Sequence, residues 1–357
     1  MKSITCVLVM LLLIAAVPAA TVMDLRNKPD DWHTSDEGKR TIDNVISAQR
    51  TQGGWKKAYD VSKPDTDADK SAGGSWDAAT IDNGATYTEI RLLARHYTLT
   101  KRPAALESFN RGVDFLIANQ YANGGWPQRF PTPAKNYGRY VTFNDDAMTN
   151  VLLLLHDIAG GRPPFEFVDA ERRGRAKQSF DRGIACVLRV QIVVNGKPTG
   201  WAQQYDEQTL TPATARSYEL PAISGSETAG VTTLLMRLES PTPEQKRAIE
   251  AAVAWLEKSK ITGKRLEKRD NDLVLVDDPV APPLWARYYE IKTNKPFFCG
   301  RDGVKKYSLA EVERERRVGY AWLRPWGQKA LDEYPKWRAK HGGGSGGTGG
   351  AGAGSEG

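Results

Sequence analysis

Apolar residues recur at helical spacing in four separate segments. Ile90, Leu93, Ala94 and Tyr97 share one face, as do Met148, Val151, Leu152 and Leu155; the same steps return at Val231, Leu234, Leu235 and Leu238 and at Ile249, Ala252, Val253 and Leu256. Steps of three and four over two or more turns put side chains on one stripe of an α-helix, whereas a half-buried strand needs steps of two. Strand signals are confined to Leu273-Val274-Leu275-Val276 and Gln191-Ile192-Val193-Val194, both flanked by turn residues. The pattern predicts a mainly all-α chain with a few short β-strands.

Three further segments resemble one another. Ile46-Ser47-Ala48-Gln49 leads to Gly53-Gly54-Trp55, Leu116-Ile117-Ala118-Asn119-Gln120 to Gly124-Gly125-Trp126, and Leu188-Arg189-Val190-Gln191 to Gly200-Trp201. Each reads as the end of an apolar helix followed by a Gly-Trp turn, at a spacing that suits a helical hairpin carrying decorated loops. The expected architecture is an α/α toroid or barrel of helical hairpins, with the three tryptophans in structural roles. Residues 60–79, rich in Asp, Lys, Ser and Gly, read as a long loop and a candidate wall of the active site.

Composition sets the boundaries. Lys2, the apolar run Val7 to Ala16 and the small-residue stretch Val17-Pro18-Ala19 read as a secretory signal spanning residues 1–19, too short to span a bilayer, so an exported protein is expected and not a membrane one. The glycine-rich stretch 342–357 cannot bury enough apolar surface to fold and reads as a flexible tail, leaving 20–341 as one large domain, expected to act as a monomer. The formal charge is +7 and loses one positive charge with Lys2; this suits an acidic partner, but no basic tract interleaved with aromatics marks a nucleic-acid module. After loss of Cys6, Cys186 and Cys299 remain, enough for one disulfide or none and not in zinc-ligand spacing.

Two Thr-introduced, Asx-rich turns, Thr80-Ile81-Asp82-Asn83-Gly84 and Thr142-Phe143-Asn144-Asp145-Asp146, each stand just before a periodic helix. They read either as N-caps or as oxygen donors for a hard cation such as calcium, and in a toroid both could converge on one cleft. Asp65, Asp67 and Asp69 imitate the start of a calcium loop, but Lys70 and Trp76 stand where its glycine and bidentate glutamate belong. His33, His96, His156 and His341 show no pairing at a metal or triad spacing, and Ser224-Gly225-Ser226 lacks the nucleophile elbow. Arg216, Arg287, Arg301 and Lys305 occur in turn-rich or aromatic contexts, where an arginine fork suits a carboxylated ligand.

Taken together, Thr80-Ile81-Asp82-Asn83-Gly84-Ala85-Thr86, Gly124-Gly125-Trp126-Pro127-Gln128, Thr142-Phe143-Asn144-Asp145-Asp146-Ala147-Met148, Ala215-Arg216-Ser217-Tyr218-Glu219, Ser224-Gly225-Ser226-Glu227 and Gly300-Arg301-Asp302-Gly303 with Glu315-Arg316-Arg317-Val318-Gly319-Tyr320 resemble the pectate lyases of polysaccharide lyase family 10. The resemblance runs from about residue 40 to about 338. It implies a toroid-like fold and calcium-dependent β-elimination of polygalacturonate, with Arg216 as the base that takes the C5 proton. It further implies Asp145 in the calcium site with Asp82, Asn83 and Asp146 as neighbours, and Arg301, Arg287, Lys305 and Asp82 as substrate-binding groups. Two competing readings are a pectin-binding module without catalysis and a helical-toroid isoprenoid cyclase; Asn144-Asp145-Asp146-Ala147-Met148 lacks the further acid a diphosphate-bound magnesium needs.

Overall fold

The computed structural model describes residues 20–66, 78–132 and 134–342. The expected signal, the acidic positions Asp67 and Asp69 and the tail after Gly342 lie outside the described residues.

The periodic segments are helices. In chain order they are α1 Val22–Leu25, α2 Asp30–Thr34, α3 Asp36–Ser47, α4 Tyr87–Thr100, α5 Pro103–Ala118, α6 Ala147–Ala159, α7 Ala170–Arg189, α8 Gly225–Met236, α9 Pro243–Lys258, α10 Arg314–Gly319 and α11 Gln328–His341. Local chemistry fixes several starts: the Ser35 and Asp169 side chains accept from the third backbone amides of α3 and α7, Thr242 and Gln245 form a reciprocal capping box on α9, and Pro103 and Pro243 occupy first helical turns, where a missing N–H costs nothing. The apolar stripes are buried except for Tyr97, which is half-buried, and Leu238 lies just past the end of α8.

The helices form two rows. One row is α3, α5, α7 and α9; the other is α4, α6 and α8, and each hairpin α4–α5, α6–α7 and α8–α9 packs antiparallel across the rows, with α2 on α4 and α11 on α8 and α9. The result is an α/α toroid that does not close. α8 is buried almost all round, so its row is the inner one. Short antiparallel pairings join the loops at one end: Ala79–Thr80 with Arg129–Phe130, Val141–Thr142 with Gln204–Tyr205, and Ile223–Ser224 with Tyr288–Tyr289, the last extended by Pro296–Cys299 and Lys305–Lys306. Each joins the segment entering an inner helix to the loop leaving the outer helix of the same hairpin. The two strand signals appear in the ribbon Lys264–Arg269 with Asp272–Asp277 and the small hairpin Val193–Val194 with Lys197–Pro198.

The Gln-to-Trp repeat is a set of hydrogen-bonded locks. The indole N–H of Trp55 donates to Val45 O, that of Trp126 to Leu116 O and that of Trp201 to Val187 O, each at 2.8 Å. Trp285, which the repeat did not include, bonds Leu256 O at 2.9 Å and is a fourth copy. Each glutamine amide reaches both its own turn and the next outer helix: Gln49 Nε2 to Gly53 O and Ser108 O, Gln120 Nε2 to Gly124 O and Ser179 O, Gln191 Nε2 to Thr199 O and Ala248 O, all at 2.7–3.0 Å. Gly112 and Gly183 leave the space that Trp55 and Trp126 occupy, since an added Cβ would lie within 3.1 Å of those rings. Cys186 and Cys299 are both free and buried.

His33 of α2 and His96 of α4, unrelated in sequence, meet in the core with ring centroids 5.7 Å apart and no hydrogen bond to any ring nitrogen. Burial pushes both pKa values down to about 4; Arg95 adds to this for His33, and the neighbouring His33 and Arg102 add to it for His96, against smaller opposing effects of Asp30 and Asp43.

Gln49→Leu removes the amide that joins Gly53 O to Ser108 O and the acceptor that Ser108 and Arg111 use, and should lower stability by about 1–3 kcal/mol in urea unfolding. A histidine neutral in the folded state and protonated in the unfolded state contributes stability fully above pH 6.5, lost as pH falls toward 4. The melting temperature should therefore fall over that window, and a His33→Phe/His96→Phe variant should show a shallower fall.

Candidate active site

The two Asx-rich turns are copies of one conformation. Asn83 has φ 50° and ψ 39°, Asp145 has φ 51° and ψ 39°, and both lie in the left-handed region that short Asx side chains tolerate best among non-glycine residues. Neither turn caps its helix: the residues preceding α4 and α6 are Thr86 and Asp146, and neither accepts a cap hydrogen bond. The N-cap reading is thereby replaced, and the carboxylates are free for other partners.

Those partners come from every hairpin. Asn144 Nδ2 donates to Asp145 Oδ2 at 3.0 Å and, across the turns, to Asp82 Oδ1 at 3.4 Å. Lys57 Nζ bonds Asp82 Oδ2. Arg287, nearly fully buried, reaches Asp145 Oδ1 at 2.9 Å and Glu227 Oε1 at 3.2 Å, and Glu227 also accepts from the Asp145 backbone amide at 3.1 Å and from Ser224 Oγ. Gln203 Nε2 bonds Asn144 Oδ1 and, at 3.2 Å, Glu219 Oε1.

Arg216 comes from the loop between α7 and α8. Its Nε donates to Glu219 Oε2 at 2.8 Å and a terminal nitrogen to Glu219 Oε1 at 2.5 Å, a bidentate pair in which Glu219 is buried and Arg216 is 42% exposed. Tyr320 OH donates to the same Glu219 Oε1 at 2.9 Å, and the guanidinium lies 5.1 Å from the Tyr218 ring centroid. Burial favours neutral Arg216, but the bonded Glu219 carboxylate outweighs it and raises the arginine's pKa above its ordinary value. Burial also raises Glu219, yet its bonds to Arg216 hold it below the usual range, whereas Glu227 is pushed up by burial despite Arg287.

Most of these groups, with Glu227 buried behind them, line one cleft of about 250 Å³. Arg216, Arg287, Asp82, Asn83 and Asp145 all face it. Asp146 does not: it lines a separate depression, with its carboxylate against the backbone of Gly230 on α8 and one oxygen unpartnered. Burial and the nearby Glu227 push its pKa up to about 7. Arg301 and Lys305 also lie off this cleft, paired on the surface with Glu315 and Glu290, although the Gly300–Gly303 turn rests behind the Arg216 loop, where Cys299 Sγ is 3.9 Å from Ser217 O. Lys57, Asn144, Gln203, Glu219, Glu227 and Tyr320 were not singled out as site residues from the sequence. Asn144, Glu219, Glu227 and Tyr320 lie inside the motifs that carry the resemblance; Lys57 and Gln203 carry no local signal, because only the fold brings them in.

Asp82 and Asp145, joined through one amide, offer oxygen donors of the kind calcium takes, with room left for ligand oxygens. Lys57 already supplies a positive charge at Asp82, so the donor set fits a cation shared with an anionic ligand better than a closed structural site. Among the described residues no group of three metal-ligating His, Cys, Asp or Glu side chains gathers.

Removing Arg287 would strand the buried Glu227 carboxylate. Arg287→Ala should therefore destabilise the protein by about 3–5 kcal/mol, measurable by denaturant unfolding, with Glu227→Gln in the same chain recovering part of the loss.

Residues 49–331 match the family described as pectic acid lyase. Two solved structures share this fold. One is a family 10 polysaccharide lyase from Cellvibrio cellulosa, 31% identical, with a TM-score of 0.76 over 89% of this chain and 98% of that one. The other is a point mutant of a family 10 polysaccharide lyase from Cellvibrio cellulosa in complex with trigalacturonic acid, 31% identical, with a TM-score of 0.75 over 89% and 99%. None of the curated proteins matches the chain in sequence. The match across most of the chain, together with a neighbouring fold covered almost end to end, places this protein in the pectic acid lyases of polysaccharide lyase family 10.

Proposed function

We propose that the cleft binds polygalacturonate and cleaves it by β-elimination, with Arg216 as base. The observation that carries this reading is the convergence of two arginines and two Asx turns from different hairpins on one cleft, a setting suited to an anionic sugar ring. The solved complex with trigalacturonic acid supports the same substrate class.

In the proposed reaction, Arg216 takes the proton on C5 of a galacturonate, α to its carboxylate. The C–H electron pair becomes the C4–C5 double bond, the C4–O bond breaks, and the leaving oxygen takes up a proton, giving an unsaturated uronate at the new chain end. Arg287 faces the negative charge that grows on the carboxylate, and Asp82 and Asp145 are the proposed calcium ligands with Asn83 beside them; Asp146 faces the separate depression and takes no part. Calcium bound there would neutralise the substrate carboxylate and make the C5 proton more acidic.

The Glu219 pair works against the base role in the resting protein, because it stabilises protonated Arg216. The reaction therefore needs Arg216 to exchange Glu219 for the substrate, and its half-exposed position permits that. Residues 1–19, read as an export signal, would deliver the enzyme to a polymer that stays outside the cell.

Absorbance of the conjugated product during incubation with polygalacturonate should rise, and a calcium chelator should suppress it; no rise in either condition refutes the lyase reading. The rate should climb into the alkaline range as neutral arginine becomes available, and Arg216→Ala should lower kcat by about 10²–10⁴-fold. Retained turnover with an unmoved pH profile in Arg216→Lys would instead make Arg216 a carboxylate clamp.

A further inference from the structure

Behind the cleft lies a second, larger cavity of about 620 Å³, within the size range of ligand sites. The two spaces have only Asn83 and Asp145 in common among their lining residues, so these left-handed turn residues form a ridge between them. The cavity is built from the start of the chain, one face of α4, and Asn150 of α6: Met23, Tyr87 and Leu92 give it an apolar lining, and Arg26, Arg91 and Arg95 bring three guanidiniums.

The state of those arginines is informative. Arg91 and Arg95 stand one helical turn apart on α4, a like-charged spacing that disfavours an isolated helix. Each is held by one carboxylate, Asp157 at 2.9 Å and Asp30 at 2.6 Å, in ion pairs whose side chains are more than a quarter exposed. Such pairs are weak in water and exchangeable. Arg26, among the described residues, has no ion pair or side-chain hydrogen bond, so its charge is uncompensated. Asp145, on the ridge, is the only carboxylate among the described residues that line the cavity.

We propose that this cavity is a distal subsite for the acidic polymer. It rests on the functional reading above: a polygalacturonate chain seated at the cleft would continue past Asn83 and Asp145, its sugar faces against the apolar lining and its later carboxylates meeting Arg26, Arg91 and Arg95. A groove of this composition discriminates by chain length, because short oligomers confined to the cleft cannot reach the arginines. The contact is electrostatic and half exposed, so its contribution falls as salt is raised.

The test compares polygalacturonate with trigalacturonate as substrates for Arg26→Ala and for Arg91→Gln/Arg95→Gln, combined and separate. The combined variant should raise KM for the polymer roughly ten-fold, as expected from a few exposed charge contacts of ~0.5 kcal/mol each, with kcat and the KM for the trimer moving by less than about two-fold and the polymer effect shrinking at high salt. Arg26→Ala should show a smaller shift of the same kind, and because Arg26 has no ion pair among the described residues it separates binding from folding. Unchanged KM for the polymer, or an equal loss on trimer and polymer, overturns the subsite. If the wild type cleaves neither substrate, the functional reading fails separately; the subsite is then read from retardation in polygalacturonate gels, which the combined variant should lose and whose retention overturns it.

Discussion

Every hairpin of this protein is fastened to the next by the same two side chains, a buried indole donating to the carbonyl of the helix before it and a glutamine amide bridging its own turn to the following outer helix. Polar groups in a packed interior must find partners, so these bonds fix the rotation and height of each hairpin as well as its contact. Because the locks sit at equivalent places, the loops that enter the inner helices all emerge at the same end. Asp82, Asp145, Gln203, Arg216 and Arg287 are neighbours for that reason, although they are far apart in the chain.

The cleft is electrically crowded. Lys57, Arg216 and Arg287 alternate with Asp82, Asp145, Glu219 and Glu227, and each buried charge has a counter-charge at hydrogen-bond distance. Such an array is costly to assemble but rigid once complete, and it stabilises charge on a ligand without reorganisation. The tension lies at Arg216, where the partner that positions the guanidinium also holds it protonated. A ligand carboxylate and a cation entering the cleft would alter that balance more than any change elsewhere in the fold.

The repeats have diverged where the chemistry is. Turns one and two keep the same left-handed backbone at Asn83 and Asp145, whereas the third entry, Ile223–Ser224 into α8, offers the buried Glu227, which accepts from the Asp145 amide and pairs with Arg287. Two copies thus present their donors to the cleft and the third supports one of them from behind. Asp146, adjacent to Asp145 in sequence, is turned away by the same left-handed step that presents its neighbour.

Much of this was legible in the sequence. Three- and four-residue spacing determined the helices, because a buried stripe requires it, and the recurring glutamine and tryptophan determined that hairpins repeat. Asx residues after a threonine marked the two turns, and Arg216 and Arg287 stood out by their contexts. The tertiary structure decided which of these groups meet. It put Asp145 in the cleft and Asp146 outside it, moved Arg301 and Lys305 to the surface beyond it, brought in Lys57 and Gln203, and buried His33 against His96. Periodicity and turn chemistry are local and survive in a one-dimensional string, but the direction of a side chain depends on the φ of one residue, and its partners depend on the packing of hairpins distant in sequence.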